Sequence, residues 1–213
     1  MQRKYFGRLV YGICALVALT SCGADKAGGT AEFATVFAAA GASSGQLDAD
    51  VATWVDADGG SANPCVAGSF VSTVPNSVDY QITSTPYATP DTGQSSSITP
   101  STLSISRVTM TFTPADTVSP VLPSRFQVQF PSSSAPLIAP GSTATVPVRV
   151  ADNDFKQFFL NGLGAQSISC SNDVTYSYRA VVSFELLETS TNRVSTITAP
   201  GFLLVKFADF VDG

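Results

Sequence analysis

Histidine is absent from all 213 residues. That one absence removes Ser-His-Asp and Cys-His nucleophilic catalysis, histidine-ligated zinc and histidine-ligated haem. Charge is scarce too: Asp, Glu, Lys and Arg make up 13% of the chain, with 16 acids against 11 cations. No basic amphipathic stretch is present, so the composition excludes a nucleic-acid partner and a domain that lies on anionic lipid by its own charge. The four cysteines (Cys14, Cys22, Cys65 and Cys170) include no C-x-x-C, which leaves no redox or zinc-thiolate motif. No apolar run is long enough to cross a bilayer: the longest, Leu9 to Leu19, is about half of the roughly 20 residues a span requires. No internal repeat of fixed period is visible.

What is present begins at the N-terminus. Three cations (Arg3, Lys4 and Arg8) precede the apolar run, and small residues follow it, which is the layout of a secretory signal. The run ends in Leu19-Thr20-Ser21-Cys22, which resembles the lipobox of bacterial lipoproteins. The resemblance implies that diacylglycerol alkylates the Cys22 sulfur, that the chain is cut just before it, and that the new amino group is acylated, palmitate being a typical chain. Residues 1–21 are then a lipoprotein signal peptide. Each buried methylene contributes about 0.8 kcal/mol, so one acyl chain holds marginally and two or three hold durably. The expected mature protein is attached to a membrane through lipid and does not cross it. In Gram-negative lipoproteins an aspartate after the cysteine resembles an inner-membrane retention signal. Gly23 stands here instead, so the resemblance points to the outer membrane, periplasmic or surface-facing, where the cell has one.

Removal of residues 1–21 takes three of the eleven cations and none of the acids, leaving 8 minus 16, or −8. Cys14 leaves with the signal and Cys22 takes lipid, so Cys65 and Cys170 remain as an even pair in an exported chain, and a disulfide between them is expected. Closing a loop of about 100 residues in this way contributes roughly 4 to 5 kcal/mol if the bond is unstrained. Residues 22–31, poor in bulky side chains, read as a flexible tether. Residues 32–213 then suit one domain with a sizeable core.

Within that domain the dominant period is two. Phe33 to Phe37 reads as a first strand. Leu47, Ala49, Val51, Thr53 and Val55 share one face of the next, opposite Asp48, Asp50, Trp54 and Asp56. Asp56 to Gly60 reads as a turn, Val78, Tyr80 and Ile82 as a strand, and Ser84 to Ser101 as a surface loop. In 102–113 the apolar residues change parity, Leu103 and Ile105 being odd and Val108, Met110 and Phe112 even. A β-bulge near Ser106-Arg107 is the repair that keeps both sets on the core side. Phe126, Val128 and Phe130 suggest a strand, as do Val146, Val148 and Val150; Pro147 assigns the latter to an edge or a bulge. Asp154 is the expected cap of one short helix near 154–161. Tyr176 to Leu186 is the longest alternation, a turn at 189–192 returns it along 194–198, and 202–210, apolar on both faces, reads as a central or doubly covered strand.

Eight or so short strands with one short helix predict an all-β fold, an antiparallel β-sandwich, with a β-barrel as the alternative. The pattern resembles immunoglobulin-like and fibronectin-like domains, a resemblance that carries no function. The expectation is a lipid-anchored envelope protein whose domain is a non-enzymatic structural or interaction module without a cofactor, meeting an envelope protein or a glycan. The alternatives are a carbohydrate-binding or adhesive module, with Trp54 as stacking platform, and a histidine-free carboxylate hydrolase drawing on Asp48, Asp50, Asp56 and Asp58. Asp56 and Asp58, with Asp152 and Asp154 as a second cluster, are weak candidates for calcium, because loops dense in Asp and Asn supply the oxygens it takes.

Overall fold

The computed structural model describes residues 29–43, 45–55, 69–71, 74–87, 99–129, 136–169 and 174–209. Its strands, in chain order, are β1 (Thr30–Glu32), β2 (Val36–Ala40), β3 (Gln46–Asp50), β4 (Thr53–Val55), β5 (Ser69–Val71), β6 (Asn76–Pro86), β7 (Leu103–Pro114), β8 (Val128–Gln129), β9 (Thr143–Ala151), β10 (Tyr176–Glu188), β11 (Arg193–Thr198) and β12 (Leu203–Ala208). One sheet runs β1-β2-β6-β9 and the other β3-β12-β10-β7-β8, with β11 beside the second half of β10; β4 and β5 form a small hairpin. The two sheets share one apolar core, and the described strands close no barrel. Tyr80 of β6 meets Phe184 of β10 edge-on across the interface, ring centroids 5.5 Å apart.

Strand β10 is the spine. Tyr176, Tyr178, Ala180, Val182, Phe184 and Leu186 are all buried, which is what alternation on a half-covered strand requires. It pairs with β7 on one side and with β12 and then β11 on the other. The parity change in β7 is a bulge: Arg107 stands opposite Glu185 and Ile105 opposite Leu186, so Ser106 is the inserted residue. Its hydroxyl donates to the Glu185 backbone oxygen at 3.1 Å. Pro147 lies in β9, the edge of the first sheet, where its missing N–H breaks no described ladder.

Several expectations need correction. Residues 47–55 are not one strand; the chain leaves the second sheet after Asp50, buries Val51 and Ala52, and re-enters extended structure as β4. Pairing is not wholly antiparallel, since β3 runs parallel to β12 with Leu47 opposite Val205. Thr30 and Ala31, expected in the tether, form β1, and Phe33 sits in the β1–β2 turn. Ser84 is buried within β6 and is not in a loop. Phe126 ends a 3-10 turn, Ser124–Phe126, rather than starting a strand.

The helix, α1 (Asn153–Asn161), is capped by Asp152, whose Oδ1 accepts from the Phe155 N–H at 2.9 Å; Asp154 lies in the first turn. Asp-Asn-Asp offers capping chemistry at three successive positions, so the composition could not choose among them. α1 covers the half of β10 that the first sheet leaves open. Phe159 stacks on Phe207 of β12 at 4.3 Å and on Tyr176 at 5.9 Å, while Phe155 meets Phe112 and Phe207.

Candidate functional site

Among the described residues a groove of roughly 680 Å³ lies between α1 and the 3-10 turn, lined by Arg125, Phe126, Asp152, Asp154, Gln157, Phe158, Asn161 and Gly162. Pro123 fixes the chain at the start of the turn and brings Phe126 against the helix. There its ring stacks on Phe155 at 4.4 Å, with planes 12° apart. The opposite face of Phe126 carries the Arg125 guanidinium, 4.8 Å from the ring centroid. Arg125 is therefore a flat, exposed cation held over an aromatic floor, across the groove from two carboxylates. Asn161 donates from Nδ2 to Gln157 Oε1 at 2.6 Å, which orders both amides along the helix side of the groove.

This set can hydrogen-bond a polar ligand through a guanidinium, two carboxylates and two amides. It presents no obvious nucleophile. Asp152 spends Oδ1 on the helix cap and Asp154 is exposed, so neither acid is enclosed by apolar walls as a general acid's would be. Among the described residues no group of three or more metal-ligating side chains could hold an ion.

The chain matches no protein family, no curated protein and no solved structure. What the site does must be argued from its own groups.

The residues singled out from the sequence fare unevenly. Leu19, Thr20, Ser21, Cys22, Cys65, Cys170, Asp56 and Asp58 lie outside the described residues. Trp54 is in β4, opposite Phe70 of β5, and its side chain is likewise outside them. Asp48 is exposed on β3, accepting from Gln46 Nε2 at 2.7 Å, and Asp50 is half-buried. Asp152 and Asp154 do come together, at the groove. Among the described residues no helix is long and apolar enough to cross a membrane.

Two buried ionisable groups escaped the sequence reading. Glu188 is fully buried. Its carboxylate accepts from the N–H groups of Ala34 (3.0 Å) and Thr35 (2.9 Å), from the Thr35 hydroxyl (2.6 Å) and from the Thr191 hydroxyl. Burial opposes its ionisation, but the hydrogen bonds from Thr191, Thr35 and Ala34 outweigh that and hold it below the ordinary glutamate range. Thr35 Oγ1 also accepts from the Ser101 N–H at 2.9 Å, so one carboxylate ties the β1–β2 turn, the start of β7 and the β10–β11 hairpin together. The signal was available: extending the inward parity of β10 by one step, from Leu186, reaches Glu188. Lys156 is the second, buried under α1 and donating from Nζ to the Val74 carbonyl at 2.5 Å. Burial pushes its ammonium below the usual lysine range, with Asp50 pulling the other way.

Proposed function

We propose that this chain is a bacterial envelope lipoprotein, anchored through lipid on Cys22, whose β-sandwich body is a non-enzymatic interaction module. The observation that carries the reading is Leu19-Thr20-Ser21-Cys22 at the end of a short cationic-apolar leader. The absence of histidine and the solvated acids support a binding role over catalysis. In an oxidising compartment Cys65 and Cys170 pair, and reduction of the mature protein then adds two hydrogens to its mass. Expression of Cys22→Ser tests the reading: the variant leaves the membrane fraction while the parent stays in it, and a variant that fractionates like the parent overturns it.

The groove favours a second reading, a glycan ligand. Planar guanidinium, carboxylate and amide groups bond pairs of neighbouring hydroxyls, and the groove brings all three together. Titration of the protein with oligosaccharides from its own envelope should show saturable binding that Arg125→Ala weakens about tenfold, the loss of one charged hydrogen bond. Equal affinity in both proteins removes the groove as the binding site.

A further inference from the structure

We propose that the flank of the domain around Phe202 is a lipid-contact surface. There the Phe202 ring and the Arg179 guanidinium meet the phospholipid headgroups of the membrane that carries the anchor. The proposal rests on the lipid-anchor reading of Cys22 and adds an orientation to it.

Chain length sets the geometry. Gly29 is separated from Cys22 by seven residue steps, which span at most about 25 Å even when fully extended. Gly29 therefore stays within about 25 Å of the bilayer surface, and whatever packs beside it meets that surface at high effective concentration. Its neighbour is Pro200. The Gly29 backbone has a φ of +74°, and a Cβ there would stand 2.7 Å from the Pro200 ring, so the approach is as close as glycine permits. The chain then turns through Gly201, whose φ is +83° and whose added Cβ would stand 2.5 Å from the Ser43 carbonyl oxygen. Two tight glycine contacts thus fix the next residue, Phe202, near the point where the leash enters the fold.

Phe202 is unusual for its chemistry and its place. It is 46% exposed, one of seven large apolar side chains left open among the described residues, and the Arg179 guanidinium lies 5.3 Å from its ring centroid. Arg179 is paired in register with Leu204, which is only half-buried, so an aromatic ring, an aliphatic group and a cation stand side by side on the outer face of the second sheet. An aromatic ring next to a cation suits the phosphate and glycerol layer of a bilayer, where the ring sits at the edge of the apolar phase and the guanidinium bonds phosphate oxygens. One ring and one guanidinium do not hold a free domain of net negative charge at a membrane. On a short leash the encounter is intramolecular, and weak contacts suffice to select one face.

Leu137 provides the comparison site at the other end of the second sheet from Phe202, whose neighbour Leu203 stands opposite Ala180. Leu137, 66% exposed, adjoins Ile138, which bridges to Leu103, and Leu103 stands opposite Glu188. Ala180 and Glu188 are eight steps apart on β10, or about 26 Å.

The test uses the lipidated full chain in vesicles of phosphatidylethanolamine and phosphatidylglycerol whose acyl chains are brominated. Phe202→Trp and Leu137→Trp are compared with the parent, whose Trp54 emission is subtracted, and the mass of each protein is checked for lipid. The expected result is that the indole introduced at 202 loses most of its emission, while the one at 137 keeps its own. With lipid present, no quenching at 202 overturns the proposal and leaves the anchor reading standing, as would happen if a protein partner covered this flank. Equal quenching at both sites overturns it as well, because no face is then selected. Absence of lipid on Cys22 overturns the anchor reading and this proposal with it.

Discussion

At Glu188 a single carboxylate, buried by its parity on β10, accepts hydrogen bonds from two backbone amides and two hydroxyls that belong to different segments. Removing it strands the Ala34 and Thr35 N–H groups. Glu188→Ala should lower unfolding free energy by about 2 to 4 kcal/mol, read from urea denaturation; an unchanged midpoint would mean that water replaces the carboxylate without cost. The pH dependence has a definite sign. The folded pKa is depressed, so the contribution is complete above the ordinary glutamate value and is lost as pH falls through the folded one. Stability of the parent should therefore fall more steeply on acidification than that of Glu188→Gln, and parallel curves would contradict this. Ser84 is the opposite case: its side-chain oxygen is buried with no hydrogen-bond partner among the described residues. Ser84→Ala should be neutral or stabilising by up to about 1 kcal/mol, whereas loss of more than that would reveal a bond the hydroxyl makes.

At the level of elements, strand parity was the most legible signal. It located the β7 bulge and the inward face of β10, because a side chain on a pleated strand has only two directions and one of them is dry. Pro147, not parity, pointed to an edge or a bulge for β9, and β9 is an edge strand. Deleting Ser106 should join the two apolar sets into one unbroken alternation and keep cooperative unfolding, whereas deleting Thr109, in the regular part of β7, should turn one set outward and abolish it. Ser106→Ala should cost less than about 1 kcal/mol. Loss of cooperative unfolding in the Ser106 deletion, read from thermal melts, would remove the bulge assignment. Parity cannot tell which strand lies beside which, and it is the same for parallel and antiparallel neighbours, so the parallel β3–β12 pair was hidden. It also cannot see a strand change sheets, which is why residues 47–55 read as one strand although the chain departs at Val51. The helix was legible but its cap was not. Asp152→Ala should cost about 1 kcal/mol through loss of the bond to the Phe155 N–H, and Asp154→Ala less than about 0.5 kcal/mol. The reverse order, in thermal melts of the two variants, would return the cap to Asp154.

For the whole molecule, sequence and structure inform different halves of the reading. The proposed leader and its cysteine lie outside the described residues, and that half of the reading rests on local chemistry alone: a few cations, a short apolar run and four residues in a row. The groove was not legible in the sequence. Its lining comes from the 3-10 turn at 124–126 and from α1, about 30 residues later, and Phe126 read as a strand residue when its alternation with Val128 was taken alone. The Phe202 flank needed the fold as well, since only the packing of Gly29 on Pro200 brings it to the root of the leash. Both surfaces acquire meaning from the anchor, so the anchor is the claim to test first. Intact-mass and N-terminal analysis of the protein isolated from its own envelope does so most directly. The account predicts a chain that starts at Cys22 and is heavier than residues 22–213 by a diacylglyceryl group and an amide-linked acyl chain. A chain that starts elsewhere, or an unmodified Cys22, would contradict it.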